Sequence, residues 1–158
     1  MDKEFLLKLL HNTLFGGVAA VGFGVLFNMF RRHLLWCFFA GGLALVVRTM
    51  GMHFGWSLEA ASFTAALAVG SGVQMFQERI GASRNILDVA GCIPMVPGGF
   101  AAKAILGLFA LTAPHPVDPD KTLIDSVIFF LRVTFTIGAI GTGLAIPSLL
   151  LRVRSVKK

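Results

Sequence analysis

The stretch Ile93-Pro94-Met95-Val96-Pro97-Gly98-Gly99 sets two prolines and two glycines in the middle of a long apolar run, residues 86–113. Proline removes a backbone donor and clashes with the turn before it, and adjacent glycines admit conformations that other residues avoid, so no intact helix passes through. In a bilayer every backbone group freed by such a break needs a partner. A broken helix is therefore confined to places enclosed by protein or lining a water-filled cavity. The run reads as a membrane span broken at 94–99, and the break is the first candidate for a site.

The rest of the chain supports a membrane reading. Of its 158 residues 56% are hydrophobic and 14% charged, and the mean hydropathy is +0.80, far from the balance of a soluble domain. The apolar runs reach the length of about 20 residues that a crossing requires. Working outward from the break, spans fall near 5–30, 34–50, 57–76, 86–113 and 122–151. The expectation is an all-α polytopic transmembrane helix bundle of five spans, one domain over 1–158. Because 34–50 is about as short as a crossing can be, the alternative has four spans, with that segment re-entrant or tilted. Trp36 and Trp56 flank it as interfacial anchors. The polar link 77–85 and the connector 114–121 read as exposed, and the latter as turn-rich. Asp2 and Glu4 offset Lys3 and Lys8, and apolar residues continue past Ala20, so the first segment is expected to remain as a span.

The net charge of +6 marks membrane sides rather than a nucleic-acid surface, since no basic stripe is interleaved with exposed aromatics. With five spans, Arg31, Arg32, Arg79, Arg84 and the C-terminal Arg152, Arg154, Lys157 and Lys158 share one side. Lys3, Lys8, Arg48 and Lys121 share the other. The excess places the C-terminus in the cytoplasm and, with an odd span count, the N-terminus outside; four spans would put both ends inside. Cys37 and Cys92 lie within apolar runs and read as buried thiols. Small residues four apart, at Ala61/Ala65, Ala66/Gly70, Thr134/Gly138 and Gly141/Ala145, predict close helix contacts, because lipid offers helices little to associate by except packing.

Charges within apolar segments carry the functional argument, since a central charge costs about 2.5 to 3.5 kcal/mol on insertion scales. If a half-helix restarts near Gly99, Lys103 falls in or just beyond its first turn. There, a partial positive charge and free N–H groups suit an anionic substrate group. Pro94, Pro97, Gly98, Gly99, Lys103 and Arg132 are thus the candidate substrate-binding residues, with Arg132 suited to hold a carboxylate through its planar guanidinium. Asp88 and Asp125 are candidates for proton coupling. Two plainer readings stand beside these: Asp88 pairing with Lys103 across a kink, and Asp125 with Arg132 as an interfacial pair at a span that begins near Val133. Arg48 and Glu59 read as interfacial side chains that snorkel to the surface. The four histidines show no metal-ligand spacing, and no nucleophile elbow, phosphate loop or nucleotide fingerprint is present. The reading is therefore of a protein that is no enzyme and needs no metal or cofactor.

The order and spacing of several pieces carry a resemblance that spans nearly the whole chain. They are Ala20-Val21-Gly22-Phe23 with Phe27-Asn28, Leu35-Trp36-Cys37, Ile93-Pro94-Met95-Val96-Pro97-Gly98, and Gly143-Leu144-Ala145-Ile146-Pro147. Together they resemble the threonine/serine exporter family in its short-subunit branch. That resemblance implies a multi-pass protein of a bacterial inner membrane that works in a hetero-oligomer with a larger, YjjP-like membrane subunit. It implies export of a small carboxylate, with succinate first. Export of threonine or serine, and a scaffold that stabilises its partner without transporting anything, are the alternatives.

Overall fold

The computed structural model describes the backbone of residues 3–76, 84–114 and 118–156, and the side chains of 3–76, 86–114 and 118–150. Six helices and one 3-10 turn make up the described elements: α1 (Lys3–Leu26), α2 (Arg31–His53), α3 (Leu58–Met75), α4 (Arg84–Cys92), the 3-10 turn Ile93–Met95, α5 (Gly98–Ala110) and α6 (Pro119–Val156). The all-α expectation holds. Most of the polar link 77–85, including Arg79, lies outside the described residues, as do 115–117 of the connector and the C-terminal basic side chains.

Among the described residues, three segments are long and apolar enough to cross a membrane unaided: α1, α2 and the Pro119–Leu150 part of α6. A fourth exists if Ile86–Met95 and Gly98–Ala110 count as one broken span. Five spans are not shown. Helix α3, the expected span 57–76, is an 18-residue helix. It is rich in Ala, Ser and Gly, carries Glu59 and Gln74 near its ends, and is not among the segments long and apolar enough to cross. By contrast the segment 34–50, expected to be barely long enough, belongs to a continuous 23-residue helix because α2 begins at Arg31. At about 1.5 Å per residue it reaches roughly 35 Å, so a re-entrant form is not needed.

Between α1 and α2 the chain turns at Asn28, whose φ of 55° is a conformation Asn tolerates better than most residues. The Met29 N–H then closes back onto the Gly24 carbonyl at 3.0 Å. After α2, Gly55 takes φ 82°, and Ser57 caps α3 by accepting from the Ala60 N–H at 3.2 Å. Trp56 is exposed in this link, whereas Trp36 lies inside α2 and packs against Phe76, with ring centroids 5.9 Å apart.

The described residues form two compact units, 1–95 with 139–158, and 96–138. In the first, α2 packs against α1, α3 and α4. Its core is built largely from small residues: Ala20, Cys37, Ala44, Ala65 and Ala66 are fully buried beside the larger Leu87 and Met95. The helices meet backbone to backbone. A Cβ at Gly41 would stand 2.5 Å from the Ala20 Cβ and 2.6 Å from the Gly16 carbonyl oxygen, and one at Gly91 would stand 2.7 Å from the Ala40 Cβ. The end of α6 meets α3 the same way, because a Cβ at Gly143 would lie 2.7 Å from the Phe63 carbonyl oxygen. Of the expected small-residue pairs, Ala61/Ala65 and Ala66/Gly70 are buried. Thr134/Gly138 and Gly141/Ala145 are exposed, and among the described residues a Cβ at Gly141 would meet nothing within 4 Å. The tightest run, Gly16-Ala20-Gly24, also has four-residue spacing but was not among the expected pairs. Both cysteines are free and buried, as expected.

In the second unit α5 and the first half of α6 form an antiparallel pair. Phe100 stacks on Phe129 with centroids 5.7 Å apart, and toward the other end of α5 the side chain of Ser126 occupies the space a Cβ on Gly107 would need. Leu7, Leu10, Phe15 and Val18 on α1, Leu106 and Phe109 on α5, and Phe130 and Phe135 on α6 are all exposed. So much exposed apolar surface exceeds what a soluble monomer carries and suits a hydrocarbon solvent.

Candidate functional site

The break follows directly from its two prolines. In an uninterrupted helix the N–H groups of residues 94 and 97 would bond the carbonyls four residues back, and proline supplies neither donor. Helix α4 accordingly stops at Cys92, a 3-10 turn carries residues 93–95, and the helix restarts at Gly98 with the buried Pro97 as its N-cap, at φ −80° and ψ 64°. Gly98 and Gly99 do not play the conformational part expected of them. Neither has a positive φ, both are exposed, and a Cβ on either would meet nothing within 4 Å. What they do is leave the start of α5 open. The first turn also folds several of its own donors back. Gly98 N–H bonds the Val96 carbonyl at 2.8 Å, and Phe100 and Ala101 N–H bond the Pro97 carbonyl at 3.0 and 3.2 Å. Positive potential at this end therefore comes more from the helix dipole and nearby side chains than from a ring of open N–H groups.

Those side chains are Lys103 and Arg132, and the structure brings them together around one aromatic pair. Lys103 Nζ sits 5.6 Å from the centroid of the Phe129 ring, and the Arg132 guanidinium sits 5.3 Å from the centroid of Phe100. Since Phe100 and Phe129 stack on each other, the two cations bracket a two-ring platform, each lying over the ring carried by the opposite helix. Cation–π contacts of this kind contribute about 0.5 to 2 kcal/mol, more as water is removed, so they hold both heads in place without neutralising them. Both residues are exposed. The two phenylalanines were not anticipated. The available signal is the spacing Phe100-x-x-Lys103 and Phe129-x-x-Arg132, which puts each ring and a cation on one face of its own helix.

Arg48, read from the sequence as an interfacial side chain, has a specific partner that the sequence did not reveal. Its Nη1 donates to the main-chain carbonyl of Met95, the last residue of the 3-10 turn and itself fully buried. The packing of α2 along α4 and this turn brings them together. A buried carbonyl left unmet costs about 1 to 3 kcal/mol, and here a guanidinium supplies the bond. Of the proposed proton-coupling residues, Asp88 is buried at 6% exposure on α4, one helical turn before buried Cys92. Asp125 is exposed on α6, two turns before Arg132. Asp88 and Pro94 belong to the first unit; Pro97, Gly98, Gly99, Lys103, Asp125 and Arg132 belong to the second.

Comparison with known proteins gives the arrangement a family. Residues 12–150 match the family described as "Threonine/Serine exporter, ThrE". An uncharacterized protein of Haemophilus influenzae is 34% identical over 147 residues, which cover 92% of this chain and 48% of that protein. The chain thus spans about half the length of this curated relative. No solved structure matches. A match across nearly the whole chain, including the broken helix and both ends of the bundle, means that the chain belongs to the threonine/serine exporter family.

Proposed function

We propose that this chain is the small membrane subunit of a two-component exporter of small carboxylates, with succinate as the first substrate, acting with a larger membrane subunit of the same family in a bacterial inner membrane. One observation carries the reading: Lys103 and Arg132 each lie over a ring of the Phe100–Phe129 pair, which joins the half-helix that restarts at Gly98 to α6. The rings hold the two cations in place without neutralising either, so both charges remain to attract an anion. A dicarboxylate offers one oxygen pair to the guanidinium and another to the ammonium. Gly98 and Gly99 leave room for the ligand at the positive end of α5, while Pro94 and Pro97 keep that end from being buried in a continuous helix. Asp88 and Asp125 are the carboxylates proposed to couple proton movement.

The test is export from vesicles loaded with labelled succinate that contain the chain and its larger partner. Lys103→Ala and Arg132→Ala, inserted at normal levels, should each lower the rate about 10-fold or more, the loss expected for one charged hydrogen bond of about 1.5 to 3 kcal/mol. Parental rates in both variants would remove the site. The family description favours a second reading, export of threonine or serine, in which Asp88 or Asp125 would meet the ammonium. Competition between succinate and threonine in the same vesicles separates the two: succinate export that excess threonine halves would favour the amino acid.

A further inference from the structure

A second group of cations belongs to the first unit. Where the start of α1 meets the end of α2, a cavity of about 560 Å³ is lined by Lys8, Arg48 and His53, by the amide of Asn12 and the hydroxyl of Thr49, with Phe5 among its apolar walls. None of its lining residues is acidic. The volume lies within the range of small-ligand sites.

Specific contacts build this cleft. Asn12 Nδ2 donates to Thr49 Oγ1 at 3.3 Å, bridging the two helices, and the His53 ring stacks on Phe5 at 3.9 Å, holding the last turn of α2 to α1. Arg48 lines the cavity while one of its nitrogens is committed to the Met95 carbonyl. A guanidinium has five N–H donors, so the others remain for a ligand. Cations of one sign in a cleft with low-dielectric walls focus a field that draws in anions. A planar guanidinium, an ammonium and neutral hydrogen-bonding groups together match a carboxylate.

We infer that this cleft binds a small carboxylate anion at a site separate from the Lys103–Arg132 pair, with Lys8 and Arg48 as its charge partners and Asn12, Thr49 and His53 as its hydrogen-bonding partners. The inference rests on the reading of the chain as a carboxylate exporter subunit and adds a second position on the route. Because the arginine that holds the anion also holds the Met95 carbonyl, occupancy of the cleft acts on the turn that begins the break.

The test is equilibrium binding of labelled succinate to the full chain in phosphatidylcholine nanodiscs, in a Lys103→Gln/Arg132→Gln background so that the cleft alone reports. Succinate is expected to bind, neutral succinamide to fail as a competitor, and an added Lys8→Gln to weaken binding about tenfold. Arg48→Lys, which keeps a cation and a donor for Met95, should weaken it similarly while the particles stay monodisperse. Absence of binding in that background, or binding unchanged by Lys8→Gln, overturns the inference. So does loss of succinate binding when anionic phosphatidylglycerol is added, which would assign the cleft to lipid headgroups. Export by the Lys103 and Arg132 variants is a separate measurement, so the two readings fail separately.

Discussion

Gly41 and Gly141 are both glycines within long apolar helices, yet replacing them should have opposite effects. At Gly41 an added methyl group would stand 2.5 Å from the Ala20 Cβ and 2.6 Å from the Gly16 carbonyl oxygen, both fixed by the backbones of packed helices. Gly41→Ala is expected to lower stability by about 1 to 3 kcal/mol, the usual cost of overpacking. At Gly141 an added methyl group would meet no other part of the described structure within 4 Å, and Gly141→Ala is expected to be neutral or slightly stabilising, because alanine is the better helix former. Thermal unfolding of the two variants in the same detergent checks both; equal midpoints would mean that α1 and α2 do not approach as described. The sequence shows only that Gly16, Ala20 and Gly24 recur every four residues, as Gly141 and Ala145 do. Which of the two stripes meets a neighbour depends on the helix that arrives there.

At the scale of elements, the break between α4 and α5 was the most legible feature, because proline acts on its own backbone whatever surrounds it. Its detail was less legible. The two glycines suggested an unusual backbone, but the structure keeps them helical and gives the interruption to the 3-10 turn and to Pro97. Pro97→Ala should therefore matter more than its small change in side chain suggests. It returns an N–H to the chain and lifts the restriction on Val96, which lets helix extend toward the start of α5. Export is expected to fall about tenfold or more at an unchanged membrane level, measured in the loaded vesicles described above, on the same scale as loss of one charged ligand contact. Parental export by this variant would leave the break with a bending role only. The start of α2 shows the converse. An Arg31-Arg32-His33 cluster reads as a link between spans, yet the helix begins at Arg31, with the Arg32 Nε bonded to the buried His33 ring at 3.0 Å.

For the whole molecule, the open quantity is the number of crossings, and α3 decides it. Among the described residues three segments, or four with the broken pair, are long and apolar enough to cross. We propose that α3 crosses as well, since its Ala61, Ala65, Ala66 and Gly70 are buried in the first unit beside α2 and the end of α6. If the excess of Lys and Arg holds the C-terminus in the cytoplasm, five crossings place the N-terminus outside. A C-terminal alkaline phosphatase fusion is then expected to be inactive, and an N-terminal epitope to be reachable from the periplasmic side. An N-terminal epitope shielded in intact cells would remove α3 from the count.

The sequence by itself determined that this is a helical membrane protein, that one helix is broken within residues 94–99, and which charges lie within apolar segments. Hydropathy, proline chemistry and charge act locally and are written residue by residue. Only the tertiary structure decided where those charges go. Arg48 reaches a carbonyl 47 residues away, and Lys103 and Arg132 meet across two phenylalanines from different helices. Helical periodicity reports which residues share a face of one helix but not which face of another helix comes to lie against it. That choice is made by the small residues that let backbones approach, and here it sets one arginine against the break and two other cations around a shared aromatic pair.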